Sequence, residues 1–535
     1  MEVMTMNNKA QFKSKGRNRA NVSNRKGNNK SKRSVDSTRY DEYVDDKRGE
    51  SKSNPIDWYN KNPMLLQNTS SISYGNIQGY PIHQDFRTNT GGSPSISTTV
   101  TSPGICVLRY LDGPGIAGNY TDAVNVAARN LFGKVRKMNS GYSNYDPNDL
   151  MMYILAMTEV YKMHSEIMRM YGVLQLYRTS SKYYPTGLCS ALNYDFDDMI
   201  QHMPQVRTLL NTFAARTNIF AVPSDMAYMV KQYWMPSGLY TDSANRKAQV
   251  YALQPMVYRT FEVQEDGNST LVAHSYIGAK SDKVVRYSDL VSITNAIVSA
   301  ITENEDFAIM SGDIRKAYGD NVWTLNAVAD DYTVQPLHDY TVLAMIENAS
   351  IVGAFYNGEV TQANIYTTNE LNASRVNYSP HFAPVTGTDT LDPRTWQNYL
   401  LNAHTDDTTV EFTTEATRFV ASLHPMQGQM VPTVCGTELI MGVRFYSNDE
   451  ITHVGSFLDG TATDPGILYQ DTAAVHLLRV MYSFDWNPRV YLINTAGTEI
   501  AALIDIDNYA VVNYNTIDAI HYACILSLFN IQDTK

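Results

Sequence analysis

Apolar residues recur at spacings of 4, 3, 4, 3, 4 and 3 through Leu150, Ile154, Met157, Tyr161, His164, Met168 and Tyr171. That is the period of one helical face, sustained for about six turns. Asp146-Pro147-Asn148-Asp149 precedes it, supplying a capping carboxylate, a proline at the first helical position and an acid in the first turn. Tyr153, Val160 and Ile167 widen the apolar face, while Glu159, Lys162, Glu166 and Arg169 alternate in sign at spacings of three and four. The pattern predicts an amphipathic core helix with those four charges on a solvated side. His164 lies on the apolar stripe with no partner at metal-ligand spacing, and reads as a core histidine with its hydrogen bonds satisfied.

Further helix signals lie at Asp195 to Thr217, with a kink expected at Pro204, and at Ser224 to Trp234. Others run from Ser288 to Ile301, from Asn304 to Tyr318 and from Asn515 to Phe529. From Met64 to Gly118 turn formers dominate (GNIQGYP, TGGSP, TSPG, DGPG), which fits either an extended arm across a neighbouring subunit or surface loops. From about Asn321 to Asp507 the texture becomes Thr-rich and β-branched. There Met441, Val443 and Phe445 alternate with Gly442, Arg444 and Tyr446 as in a strand. The simplest architecture is α+β: a mainly helical domain over 61–320, a β-rich domain over 321–505 inserted as a second layer, and a closing helix in 506–535 that returns to the helical part. The segment 1–60 has no apolar period, and no repeat of about 20 to 50 residues is present.

Charge divides the chain more sharply than hydropathy does. Residues 1–39 carry 11 basic and 2 acidic side chains, net +9, which leaves 32 and 52, net −20, for the remainder. Within this arm Lys9, Lys13, Lys15, Arg17, Arg19, Arg25, Lys26, Lys30, Lys32 and Arg33 are spread among Asn, Ser and Gly. Such a composition cannot bury enough surface to offset its ordering entropy, so the arm is expected to be disordered. Spaced cations on a flexible tail suit binding to a polyanion through counterion release, without base readout. The same composition also fits a solvated tail or a localisation signal. The stretch Tyr40 to Glu50 then holds five acids and two bases, a linker able to fold back on the arm.

Reactive chemistry finds little support. The sequence has no GxxxxGK[ST], GxSxG, HExxH or Gly-Asp-Asp motif, and the Gly-Pro-Gly at 113–115 reads as ordinary turns. Cys106, Cys189, Cys435 and Cys524 are far apart and read as buried free thiols. DFDD at 195–198 is explained by helix capping, and Asp330-Asp331, Asp406-Asp407 and Asp505-Ile-Asp-Asn by loop or strand-end acids, so no metal or cofactor is assigned. The N-terminus lacks an apolar core of signal-peptide length and no run approaches the roughly 18 to 20 apolar residues of a spanning helix, which points to an intracellular soluble protein. The 37 tyrosines suit contacts apolar at one end and polar at the other. Those near Tyr233, Trp234 and Tyr240 fit either intramolecular core or subunit contacts.

Three stretches, YDPNDLMMYILAMTEVYKMHSEIMRMYG (145–172), KYYPTGLCSALNYDFDDM (182–199) and WMPSGLYTDSANRKAQVYAL (234–253), resemble the capsid proteins of picobirnaviruses, non-enveloped viruses with a double-stranded RNA genome. GLYTDS followed by KAQ is the most distinctive part, and the resemblance covers the middle of the chain. It implies a largely helical shell domain, a β-rich projecting domain facing outward, and dimers assembled into an icosahedral T=1 shell of about 60 pairs. It further implies an interior, disordered basic N-terminus beside the genome, removed by maturation cleavage in some members.

The expected function is therefore a non-enzymatic, self-assembling capsid protein of the virion, assembled in the host cytoplasm, with the arm tethering double-stranded RNA. A receptor or membrane met during entry is a further partner that the sequence does not identify. The alternative is a non-capsid RNA-binding accessory protein of replication using the same arm. A hydrolase built on the scattered carboxylates has no motif behind it.

Overall fold

A helix of 33 residues, Pro147–Thr179, about 50 Å long at 1.5 Å per residue, is the member around which the fold is wrapped. The computed structural model describes residues 59, 61–72, 81–86, 96–101, 104–139, 141, 144–179, 184–243, 249–276, 284–369, 374–384, 392–447, 450–454, 457–460, 480–481, 483–494, 500–503 and 506–531. Every side chain from Leu150 to Leu176 is buried except Met168, which is partly exposed. Helices Ala123–Met138, Met203–Thr217, Ala227–Trp234 and Tyr287–Thr302 pack around it, together with the hairpin Val257–Val263 and Ser269–Ser275.

The expected solvated face is overturned. Glu159, Lys162, Glu166 and Arg169 are 2%, 0%, 0% and 0% exposed. The helix starts at Pro147 as the sequence implies, with Asp149 accepting from the Asp146 amide at 3.0 Å, but its charged side meets strands that carry complementary charge, so a polar stripe became an interior one.

The other helices predicted from the sequence fall close to their expected places. Asp195 to Thr217 is two helices, Phe196–Gln201 and Met203–Thr217, because the chain breaks at His202. Pro204 stands in the first turn of the second, where its missing N–H removes no hydrogen bond, so it starts a helix rather than kinking one. Glu305–Tyr318 is capped by Asn304, whose side chain accepts from the Asp306 and Phe307 amides. The closing helix, Tyr514–Leu528, buries Ile517, His521 and Ile525 at four-residue spacing. It packs against Ala123–Met138 and Ala227–Trp234, where Phe529 just beyond its end stacks on Tyr228 at 4.8 Å.

A five-stranded mixed sheet runs in the order Glu450–Val454, Glu438–Ser447, Ile105–Asp112, Val250–Pro255, Tyr240–Thr241. Ile105–Asp112 pairs parallel to Val250–Pro255 and antiparallel to Glu438–Ser447. All three are buried on both faces, as a sheet covered on both sides requires. One face, with Val107 and Ala252, closes the core around the long helix. The other, with Leu108, Leu253 and Phe445, covers a second core containing Leu343, Ile346, Phe419 and Trp486. The sheet thus draws strands from both sides of the boundary expected near 321, and the described residues from 67 onward form one compact unit. A second, antiparallel sheet orders Arg375–Asn377, Ile365–Thr368, Ser269–Ser275 and Val257–Val263.

Candidate functional site

Among the described residues, a close set of titratable groups lies inside the fold, on the charged side of the long helix. Lys162 Nζ is 2.8 Å from Asp112 Oδ1 and 2.6 Å from Glu159 Oε2. Arg259 Nη1 is 3.0 Å from Asp112 Oδ2 and 2.7 Å from Glu159 Oε1. Arg259 also donates through Nη2 to the Asp112 carbonyl at 2.6 Å and through Nε to the Ala363 carbonyl at 3.0 Å. Two cations and two anions close a neutral quartet with no solvent access. Burial opposes ionisation of Asp112, but the Lys162 and Arg259 charges prevail and hold its carboxyl down at about 2. Burial pushes the Glu159 carboxyl up.

Two turns along, Glu166 pairs with Arg169 and accepts from Tyr194 Oη at 2.9 Å and Gln254 Nε2 at 3.0 Å. Arg169 Nη1 donates to the Leu253 carbonyl at 2.7 Å. A third buried carboxylate, Glu438 on the central sheet, receives Lys231 Nζ at 2.6 Å, Gln232 Nε2 at 2.7 Å and Thr437 Oγ1 at 2.6 Å. These groups bind one another and are shut off from any substrate. Their chemistry is cohesion: they lock the helices to the sheets. Sequence reasoning saw the helix charges and missed their partners, because Asp112, Arg259 and Glu438 are brought in from distant strands.

His164 is a core histidine, 1% exposed, but its hydrogen bonds are not satisfied: neither ring nitrogen has a partner. Its ring lies parallel to Tyr233 at 6.2 Å, and burial lowers its pKa to about 4. Tyr233, Trp234 and Tyr240 make intramolecular contacts: Tyr233 meets Trp323 at 5.2 Å, and Trp234 meets Tyr240 at 6.3 Å. Asp195 caps its helix by accepting from the Asp198 amide at 3.1 Å. Cys106, Cys189 and Cys435 are buried free thiols and Cys524 is partly exposed. Among the described residues no group of three or more His, Cys, Asp or Glu is placed to hold a metal ion, and no helix is long and apolar enough to cross a membrane.

The ten arm cations, Lys9 to Arg33, and the acidic stretch after them lie outside the described residues. At the surface, the two-stranded sheet Asn398–Ala403 and Asn508–Asn513 leaves Tyr509 60% and Val511 63% exposed. A protein whose buried ionic networks serve internal cohesion, with apolar side chains left exposed on a surface strand, has the character of a building block.

Comparison with known proteins agrees. The fold is that of a virus shell protein: it superposes on the X-ray crystallographic structure of the picobirnavirus capsid with a TM-score of 0.73 at 21% identity, over 89% of this chain and 98% of that one. The family model for the picobirnavirus capsid protein matches residues 58–439, and the chain belongs to that family. It is also 29% identical over 516 residues to the capsid protein precursor of human picobirnavirus (strain Human/Thailand/Hy005102/-), covering 90% of this chain and 92% of that protein. The protein is a viral capsid protein, a structural component of the virion.

Proposed function

We propose that this chain pairs into dimers that assemble in the host cytoplasm into a T=1 icosahedral shell of about 60 dimers around double-stranded RNA. The arm Lys9 to Arg33 tethers the RNA from inside, and the β-rich part of 321–505 faces outward, towards a receptor or membrane. The observation that carries the tether is the split of charge, +9 over residues 1–39 against −20 over the rest. A body of that sign repels a polyanion and the arm attracts it.

Copy number sets the kind of tether. About 120 arms bring on the order of a thousand net positive charges, whereas a duplex of a few kilobase pairs carries several thousand phosphates. The arms hold the genome and small counterions neutralise most of it. Deleting residues 1–39 is expected to leave particles forming, by light scattering and negative-stain microscopy, while encapsidated RNA per particle falls. Unchanged RNA content would sink the tether, and failure of the intact chain to form uniform particles of several megadaltons would return the accessory-protein reading.

A further inference from the structure

Strands Asn398–Ala403 and Gln429–Val434, the segment around Arg489 and the first turn of the closing helix enclose a cavity of about 240 Å³. Its walls are mainly apolar, with Ile351, Val434 and Ile517 beside the rings of Trp396, Tyr399 and Tyr491. It reaches the surface at Trp396 and Val511, which are 43% and 63% exposed.

Two arginines line this space, and their circumstances differ. Arg394 is neutralised by Asp392, with Nε 2.9 Å from Oδ1 and Nη2 2.6 Å from Oδ2, and its Nη1 donates to the Val352 carbonyl at 2.6 Å. Arg489 is 6% exposed and lies with its guanidinium carbon 4.7 Å from the centre of the Tyr399 ring. It donates through Nη2 to the Leu400 carbonyl and shares a side-chain hydrogen bond with Tyr491. Its Nε is shut off from solvent without a partner, and among the described residues no carboxylate pairs with the guanidinium. Glu347, whose charge bears on it, is held instead by Asn402 Nδ2 at 2.7 Å and His404 Nε2 at 2.9 Å. A buried guanidinium without a paired anion is costly, and this one stands in the wall of an accessible apolar cavity.

We propose that the cavity binds a small amphipathic monocarboxylate, its head on the Arg489 guanidinium and its apolar body among the rings. One unpaired cation matches one negative charge, and a guanidinium binds a carboxylate by charge-assisted hydrogen bonding. An apolar cavity of about 150 Å³ accepts benzene, so this one takes a body of roughly eight to ten carbon atoms. Such an occupant ties the strand Asn508–Asn513 and the closing helix to the rest of the subunit.

The test uses the full chain, with octanoate as ligand and 1-octanol as its uncharged counterpart. Octanoate is expected to raise Tm saturably and 1-octanol not, as ligand binding to the folded state alone dictates. R489Q is expected to abolish the shift. V511W, which places a ring at the exposed mouth, is expected to weaken octanoate at least tenfold while melting at the wild-type temperature without ligand, so the site is tested even if R489Q does not fold. Equal shifts from octanoate and 1-octanol would overturn the carboxylate assignment. No saturable shift with octanoate, or octanoate affinity unchanged in V511W, would overturn the site.

Discussion

Lys162, on the long helix, sets its ammonium 2.8 Å from the carboxylate of Asp112, at the end of a central strand, with both side chains shut off from water. The contact joins the helical layer to the sheet and completes a quartet with Glu159 and Arg259. K162M leaves two carboxylates facing one guanidinium in the interior. It is expected to lower the stability of the unassembled subunit by about 3–5 kcal/mol in urea unfolding. Adding E159Q, which restores neutrality, should recover part of the loss.

The same carboxylate sets an acid limit. The Asp112 folded-state pKa of about 2 is below its ordinary 3.8, so its stabilisation is complete above about pH 4 and lost as the pH falls through about 2. The contribution is about 2 kcal/mol. The stability gap between wild type and D112N, followed by urea unfolding at stepped pH, should therefore narrow between pH 4 and 2.

His164 acts at milder acidity. With its pKa lowered to about 4 from 6.5, the unfolded chain takes up a proton in that window and the folded chain does not. Stability should fall as the pH drops from about 6.5 to 4, by up to about 1.4 kcal/mol per pH unit from this group. H164L is expected to flatten that slope in the melting temperature against pH, whereas an unchanged slope would assign it to other groups.

Gly172 reverses the usual helix rule. Alanine in place of an interior helical glycine normally stabilises by up to about 1 kcal/mol. Here a Cβ would come within 2.7 Å of Val334 Cγ2 and 2.9 Å of the Val334 backbone nitrogen. G172A is therefore expected to destabilise by about 1–3 kcal/mol in the same unfolding assay.

Periodicity made the long helix legible because its apolar stripe, cap and first-turn proline are all local. The fate of its other side was not local. Glu159 and Lys162 look alike whether they face water or Arg259, and Arg259 lies 97 residues beyond Lys162 in the chain. Helix Ala123–Met138 escaped the reading although Val124, Ala127, Leu131 and Val135 give three- and four-residue spacings and Arg136 and Lys137 end it, a signal strong enough to have been used. Tyr340–Glu347 is hidden for a different reason: eight residues, nearly all buried, carry no polar face for a period to show. The strands Ile105–Asp112 and Glu438–Ser447, both buried on two faces, conceal their pairing in the same way. Of the residues proposed to bind a partner, the arm was read from composition alone, and Arg489 gave no sign, since its cavity is assembled from segments far apart in sequence.

A helix buried from Leu150 to Leu176, all but part of Met168, leaves almost none of that surface for neighbours. In the proposed shell, contacts between copies are expected to fall to the exposed faces of the other elements, with the Pro147–Thr179 helix held inside each subunit. Close-packed interiors deform little and junctions between bodies deform readily. In the proposed shell, load from a packed genome or from drying is therefore expected to be taken up between subunits rather than within them.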